Sequence, residues 1–186
     1  MNNKLFQPFI YIAGIKSLVV GIIALAVTAF IGSLSLTHFD GAIDMHSGYS
    51  TPVYIYFLEQ LINWASLVLF FYIAGMFFSR SSVRLIDVAG TMAMARWPLL
   101  PAAVAGFGMH IKQPVLANIT PGIILFSLLG LVFIIWMIAL LYNAYSVACN
   151  IKGRKGIVVF IITLLIAEVA SHLAIHEIYH HINIVL

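Results

Sequence analysis

The sequence predicts an all-α integral membrane protein, a bundle of five transmembrane helices. Three observations lead there. Hydrophobic residues make up 63% of the 186 positions and charged residues only 8%, against about 25% charged in soluble domains. Mean hydropathy is +1.09. The apolar residues gather into stretches of the roughly 20 residues that a spanning helix needs. These run over approximately 15–36, 52–78, 85–108, 121–147 and 156–175. So little charge could not cover a water-facing surface, which excludes a separate soluble domain and makes residues 1–186 one transmembrane domain. The lone Cys149 excludes an intrachain disulfide. No nucleic-acid signature is present, and the bilayer is the expected partner.

The first stretch opens with Lys16 and carries Ala24, Thr28 and Gly32, a small-xxx-small face suited to close packing. No A-x-A-like site follows it, so it reads as a retained helix and not as a leader. The second places Tyr56, Glu59, Asn63 and Ser66 on one face, an inward polar seam. The third contains Arg96-Trp97-Pro98-Leu99-Leu100-Pro101. Two prolines three apart break the hydrogen-bond ladder and predict a kink. The fourth ends at NIKGRKG, which leads into the fifth. There Glu168, His172, His176 and His180 recur every four residues, one turn apart along one face. The connections are short, polar and rich in Gly or Ser, as helix connections should be.

Lysine and arginine set the orientation. Lys4, Lys16, Arg80, Arg84, Lys152, Arg154 and Lys155 all fall on one side. That side is expected to be the cytoplasm of a bacterial inner membrane, with the N-terminus inside and the C-terminus outside. Only Lys112 lies opposite. The histidines, His38, His46, His110, His172, His176, His180 and His181, then share the outer face.

Two outer segments carry metal-ligand chemistry. The first loop reads HFDGAIDMH, with His38 and Asp40 mirrored by Asp44 and His46. The fifth helix supplies His172, His176 and His180, two of which could reach one ion at i, i+4 spacing. A divalent-metal site, zinc by ligand type, is the expectation. The same helix spells HEIYH over 176–180, the H-E-x-x-H pattern in which two histidines hold zinc and the glutamate is general base. In that reading Glu177 would be catalytic and the protein a zinc-dependent membrane hydrolase. The motif stands at the bilayer rim, however, and little of this sequence follows it to close a cleft. Deeper in the bilayer lie Glu59, Arg96 and Glu168. An unpaired charge there costs roughly 3 kcal/mol or more, so Arg96 is expected to pair with one of the carboxylates. The three are either a structural ion pair or a proton or ion relay, and the latter would make the protein a coupled transporter.

The opening FQPFIYIAGIKSLVVG, the stretch Arg84-Leu85-Ile86-Asp87-Val88-Ala89-Gly90-Thr91 and the following Ala95-Arg96-Trp97-Pro98-Leu99-Leu100-Pro101 resemble the Yip-domain family of five-span membrane proteins. The resemblance is diffuse and spreads over most of the chain. It implies an integral membrane protein without established catalysis. The leading expectation is therefore a Yip-like, non-enzymatic membrane protein with a metal site at its outer face.

Overall fold

A computed structural model describes residues 8–48, 50–109 and 120–182. His110, Lys112 and Lys4 lie outside the described residues. Among the described residues six α-helices dominate: α1 (Ile15–Ser35), α2 (Val53–Phe78), α3 (Leu85–Ala95), α4 (Leu99–Ala105), α5 (Pro121–Ala148) and α6 (Gly153–His181). Four of them, α1, α2, α5 and α6, are long and apolar enough to cross a membrane. Their surfaces are apolar too: Leu165, Val169 and Leu173 on α6 and Leu128, Val132 and Ile135 on α5 are exposed, while Glu59, Gln60, Asn63, Arg96 and Ser171 are buried. Apolar outside and polar inside inverts the water-soluble pattern and fits a lipid surround.

The third apolar stretch is not one helix. α3 stops at Ala95, residues 96–98 form a turn, and α4 resumes for 7 residues before a 3-10 turn at Gly106–Gly108. The break falls where Pro98 and Pro101 withdraw backbone donors, and Pro98 itself caps α4. α6 runs further than the apolar run alone predicts, through His181. Its last turns stay helical because buried Ile175 and Tyr179 still pack on Ile55 of α2.

α1 and α3 pack backbone to backbone. A Cβ on Gly21 would fall 2.5 Å from Ala93 Cβ, and one on Gly90 would strike Ser17 Oγ. The small face of α1 extends through buried Thr28 and Gly32. The main core gathers Leu67 and Phe71 of α2, Met92 of α3, Met137, Leu141 and Tyr145 of α5, and Phe160 and Leu164 of α6. Cys149 is buried beside it, and its thiol faces Phe71 O.

The α1–α2 connection is the least expected part of the fold. Two short strands, β1 (Thr37–His38) and β2 (His46–Ser47), pair antiparallel with His38 opposite His46. The chain between them does not stand off in solvent. Phe39, Ala42 and Gly41 are buried, so the loop folds inward among α2, α3, α4 and α6.

Candidate functional site

A loop placed among apolar helices brings backbone N–H and C=O groups with no helix or sheet to satisfy them. Each unsatisfied group would cost several kcal/mol in a low-dielectric surround. The polar side chains of the bundle meet this demand one by one. Phe39 N donates to Glu59 Oε2 at 2.8 Å, and Asn63 Nδ2 donates to Phe39 O at 2.6 Å. Ala42 N donates to Ser171 Oγ at 2.9 Å, while Arg96 donates to Ala42 O at 2.6 Å. Ile43 N donates to Glu168 Oε2 at 2.7 Å. Gly41 passes so close to Glu168 that a Cβ would strike its carboxylate.

Glu59 is the centre of this arrangement. Its Oε1 accepts from His38 Nδ1 at 2.7 Å and from the Tyr179 hydroxyl. Its Oε2 takes Phe39 N, so three donors from two segments converge on one buried carboxylate. Tyr56 stacks on the His38 ring at 4.4 Å between centroids, and Tyr179 meets it edge-on. The inward seam of α2 is thus Tyr56, Glu59, Gln60 and Asn63, all buried.

The carboxylate partner expected for Arg96 is not what the structure holds. Arg96 is buried, and its guanidinium donates to Ala42 O and to Gln60 Oε1, the latter at 3.2 Å. Among the described residues no carboxylate lies within 4.0 Å of it. Glu59 and Glu168 are occupied by loop backbone instead. A guanidinium donates to neutral carbonyl oxygens as well as to carboxylates, and the turn after α3 aims Arg96 at the loop.

Asp40 forms a second, shallower focus. Its Oδ1 accepts from His46 Nδ1 at 3.1 Å, and its Oδ2 lies 3.7 Å from His172 Nδ1. His172 also bonds the Asp40 carbonyl at 3.2 Å. Burial works against the charged carboxylate of Asp40, but the His46 hydrogen bond and charge outweigh it and hold the group below its ordinary range. The same hydrogen bond raises His46 above its ordinary value against the pull of burial.

The predicted metal ligands therefore separate. Asp40, His46 and His172 come together, with His38 stacked beside His46 at 5.6 Å. Asp44 is exposed and bonds Met45 N. His176 and His180 are exposed on α6, away from the loop. Among the described residues no group of three His, Cys, Asp or Glu side chains is placed to hold a metal ion. Glu177 is also exposed and sits 3.1 Å from His181 Nε2, one turn on.

The reason lies in helix geometry. The buried ridge of α6 is Ala167, Ser171, Ile175 and Tyr179. The stripe Glu168, His172, His176 and His180 is displaced from it by one residue, about 100° around the axis. Only its first two members reach the loop. Ser171 and Tyr179 do more at this site than the histidines that drew attention. Their signal was available as a four-residue recurrence of small and aromatic residues inside an apolar helix.

No protein-family model, curated protein or solved structure matches the chain.

Proposed function

We propose that this is a Yip-like, non-enzymatic membrane protein. It crosses the bilayer of a bacterial inner membrane five times, with the N-terminus in the cytoplasm and the C-terminus outside. In this reading α3 and α4 together make the third crossing, bent at Pro98. The first outer loop is then re-entrant, held at depth by the polar seam.

One observation carries the non-enzymatic reading: Glu59, Arg96 and Glu168 are consumed in binding loop backbone. A relay needs groups free to gain and lose protons along a path. These three are fixed partners of loop amides and a loop carbonyl. The hydrolase reading has less support still, since Glu177 is exposed and paired with His181, and among the described residues no group of three metal-ligating side chains gathers at HEIYH.

The divalent-metal reading narrows to Asp40, His46 and His172, where two imidazole nitrogens already face one carboxylate. Side-chain rotation would be needed to bring all three onto one ion.

The test is reconstitution of the purified chain into vesicles. Proton flux and zinc-dependent hydrolysis of peptide and lipid substrates are expected to stay at background. Flux lost in Glu168→Gln, or hydrolysis lost in Glu177→Gln, would overturn the proposal. Metal analysis of wild type, His172→Ala and His176→Ala separates the metal readings: zinc lost only with His172 supports the narrowed site, and zinc lost with His176 returns the site to HEIYH.

A further inference from the structure

α2 and α6 leave a groove between them at the end away from the loop. It holds a volume of about 200 Å³ and is lined by Phe70, Ala74, Phe78, Val159, Ile162 and Ile166, among others. From Phe70 to Phe78 it runs about 12 Å along α2, by the rise of an α-helix. At its mouth the Lys155 ammonium lies 5.3 Å over the Phe78 ring.

The charge around this mouth is one-sided. Arg80, Lys152, Arg154 and Lys155 are all exposed there. Of the 6 acidic residues in the sequence, only Asp87 lies at this end of the helices, and it is held by Arg84 at 2.7 Å. Among the described residues Lys152, Arg154, Lys155 and Arg80 make no ion pair.

The geometry points to a binding site for one anionic phospholipid, its acyl chain in the α2–α6 groove and its phosphate on Lys155 and the neighbouring cations. The inference rests on the membrane-spanning reading. A lipid tail already surrounded by other tails gains little from transfer, because no water is displaced. The groove therefore supplies shape and position, while selection comes from the headgroup. A basic side chain near the membrane surface favours an anionic lipid by about fivefold. Lys155 is the residue that joins the two halves, since its stem follows the ring that lines the groove and its ammonium stands at headgroup level.

The experiment uses the full chain in phosphatidylcholine vesicles carrying either spin-labelled phosphatidylglycerol or spin-labelled phosphatidylcholine with matched chains. The protein-restricted fraction of label is read by electron paramagnetic resonance. Wild type is expected to restrict phosphatidylglycerol in preference to phosphatidylcholine. Lys155→Gln should lower that preference by about fivefold. Ile162→Trp, at an exposed groove position, should fill the groove and abolish the preference with all basic residues intact. Equal restriction of the two lipids by wild type overturns the inference. So does a wild-type preference left undiminished in either variant. Failure of a well-folded chain to enter the bilayer would instead overturn the span reading beneath it.

Discussion

Glu59→Gln tests the loop-anchoring arrangement with almost no change of volume. The carboxylate accepts from Phe39 N at 2.8 Å, from His38 Nδ1 at 2.7 Å and from the Tyr179 hydroxyl. An amide keeps one acceptor oxygen and puts an NH2 where the other stood, so a donor meets a donor. If the NH2 takes the Oε2 position, the Phe39 N–H is orphaned in a buried site, which costs about 1–3 kcal/mol. If it takes the Oε1 position, His38 and Tyr179 lose their acceptor together. The remaining bonds also weaken, since charge-assisted hydrogen bonds are about twice as strong as neutral ones. The sum is roughly 2–4 kcal/mol, or roughly 4–16 °C in Tm for a chain of this size. Thermal unfolding in detergent reads the stability. A cysteine substituted for Ala42 in a Cys149→Ser background reads loop release, because Ala42 is fully buried when the loop is seated. Glu177→Gln is the control: its side chain is 68% exposed, and the change should stay within about 0.5 kcal/mol. If Glu59→Gln proves as mild as Glu177→Gln and leaves Ala42→Cys unreactive, Glu59 does not hold the loop and the reasoning fails.

Three further outcomes follow from the same geometry. Gly41→Ala should destabilise by about 1–3 kcal/mol through overpacking, because its Cβ would meet the Glu168 carboxylate. Glu168→Ala in the same chain should remove the clash, so additive losses in the double variant would count against it. The Asp40–His46 pair makes stability depend on pH. Its His46 part is fully present below the ordinary 6.5 and lost as pH rises through the raised value, with Asp44 and Glu59 also favouring the charged ring. The Asp40 part is present above 3.8 and lost as pH falls through the lowered value, with His172 adding to the effect. The pair is partly exposed and worth under about 1 kcal/mol. In chelator-treated protein, Tm should therefore drop slightly between pH 6 and 8, roughly the range set by the histidine value, and Asp40→Asn should flatten that drop. Finally, a cysteine appended after Leu186 should react with an impermeant reagent in intact cells; labelling only after permeabilisation would refute an outside C-terminus.

The helices were legible in the sequence because lipid-facing surface imposes long apolar runs, and 15–36 and 52–78 reproduce α1 and α2 within a residue. The helix break was legible for a covalent reason, since Pro98 and Pro101 cannot donate. The inward face of α2 could be read too, because Tyr56, Glu59 and Asn63 are spaced for one side and are buried, while Ser66 of the same set is only half-buried. What these residues bind could not. Charges in an apolar helix suggest other charges as partners, and nothing local says that a loop backbone will arrive first. HEIYH misdirects for a related reason. Spacing by four fixes that His176 and His180 share a face, but which face packs depends on the neighbouring helix. Here the packed ridge is set by Ser171 and Tyr179.

The broken third segment and the inward loop answer each other. α3 is 11 residues, about 16 Å, and α4 is 7, about 10 Å. Neither is long enough to cross roughly 30 Å of hydrocarbon alone, and the turn between them presents the Arg96 guanidinium to the bundle interior. A continuous helix would carry Arg96 in its middle with its own backbone satisfied and no reason to admit another segment. The break instead places Arg96 at a helix terminus, within 2.6 Å of Ala42 O. At the far end of α4, Gly106 lets Thr37 of β1 approach so closely that a Cβ would strike its hydroxyl. The loop is thus received at both ends of α4. Replacing Pro98 and Pro101 by alanine should favour a straighter helix and push Arg96 away from Ala42. That variant should release the loop as Glu59→Gln does, seen as reactivity of Ala42→Cys, even though neither proline belongs to the polar seam. A loop that stays protected in the straightened variant would show that the seam on α2 and α6 suffices without the break.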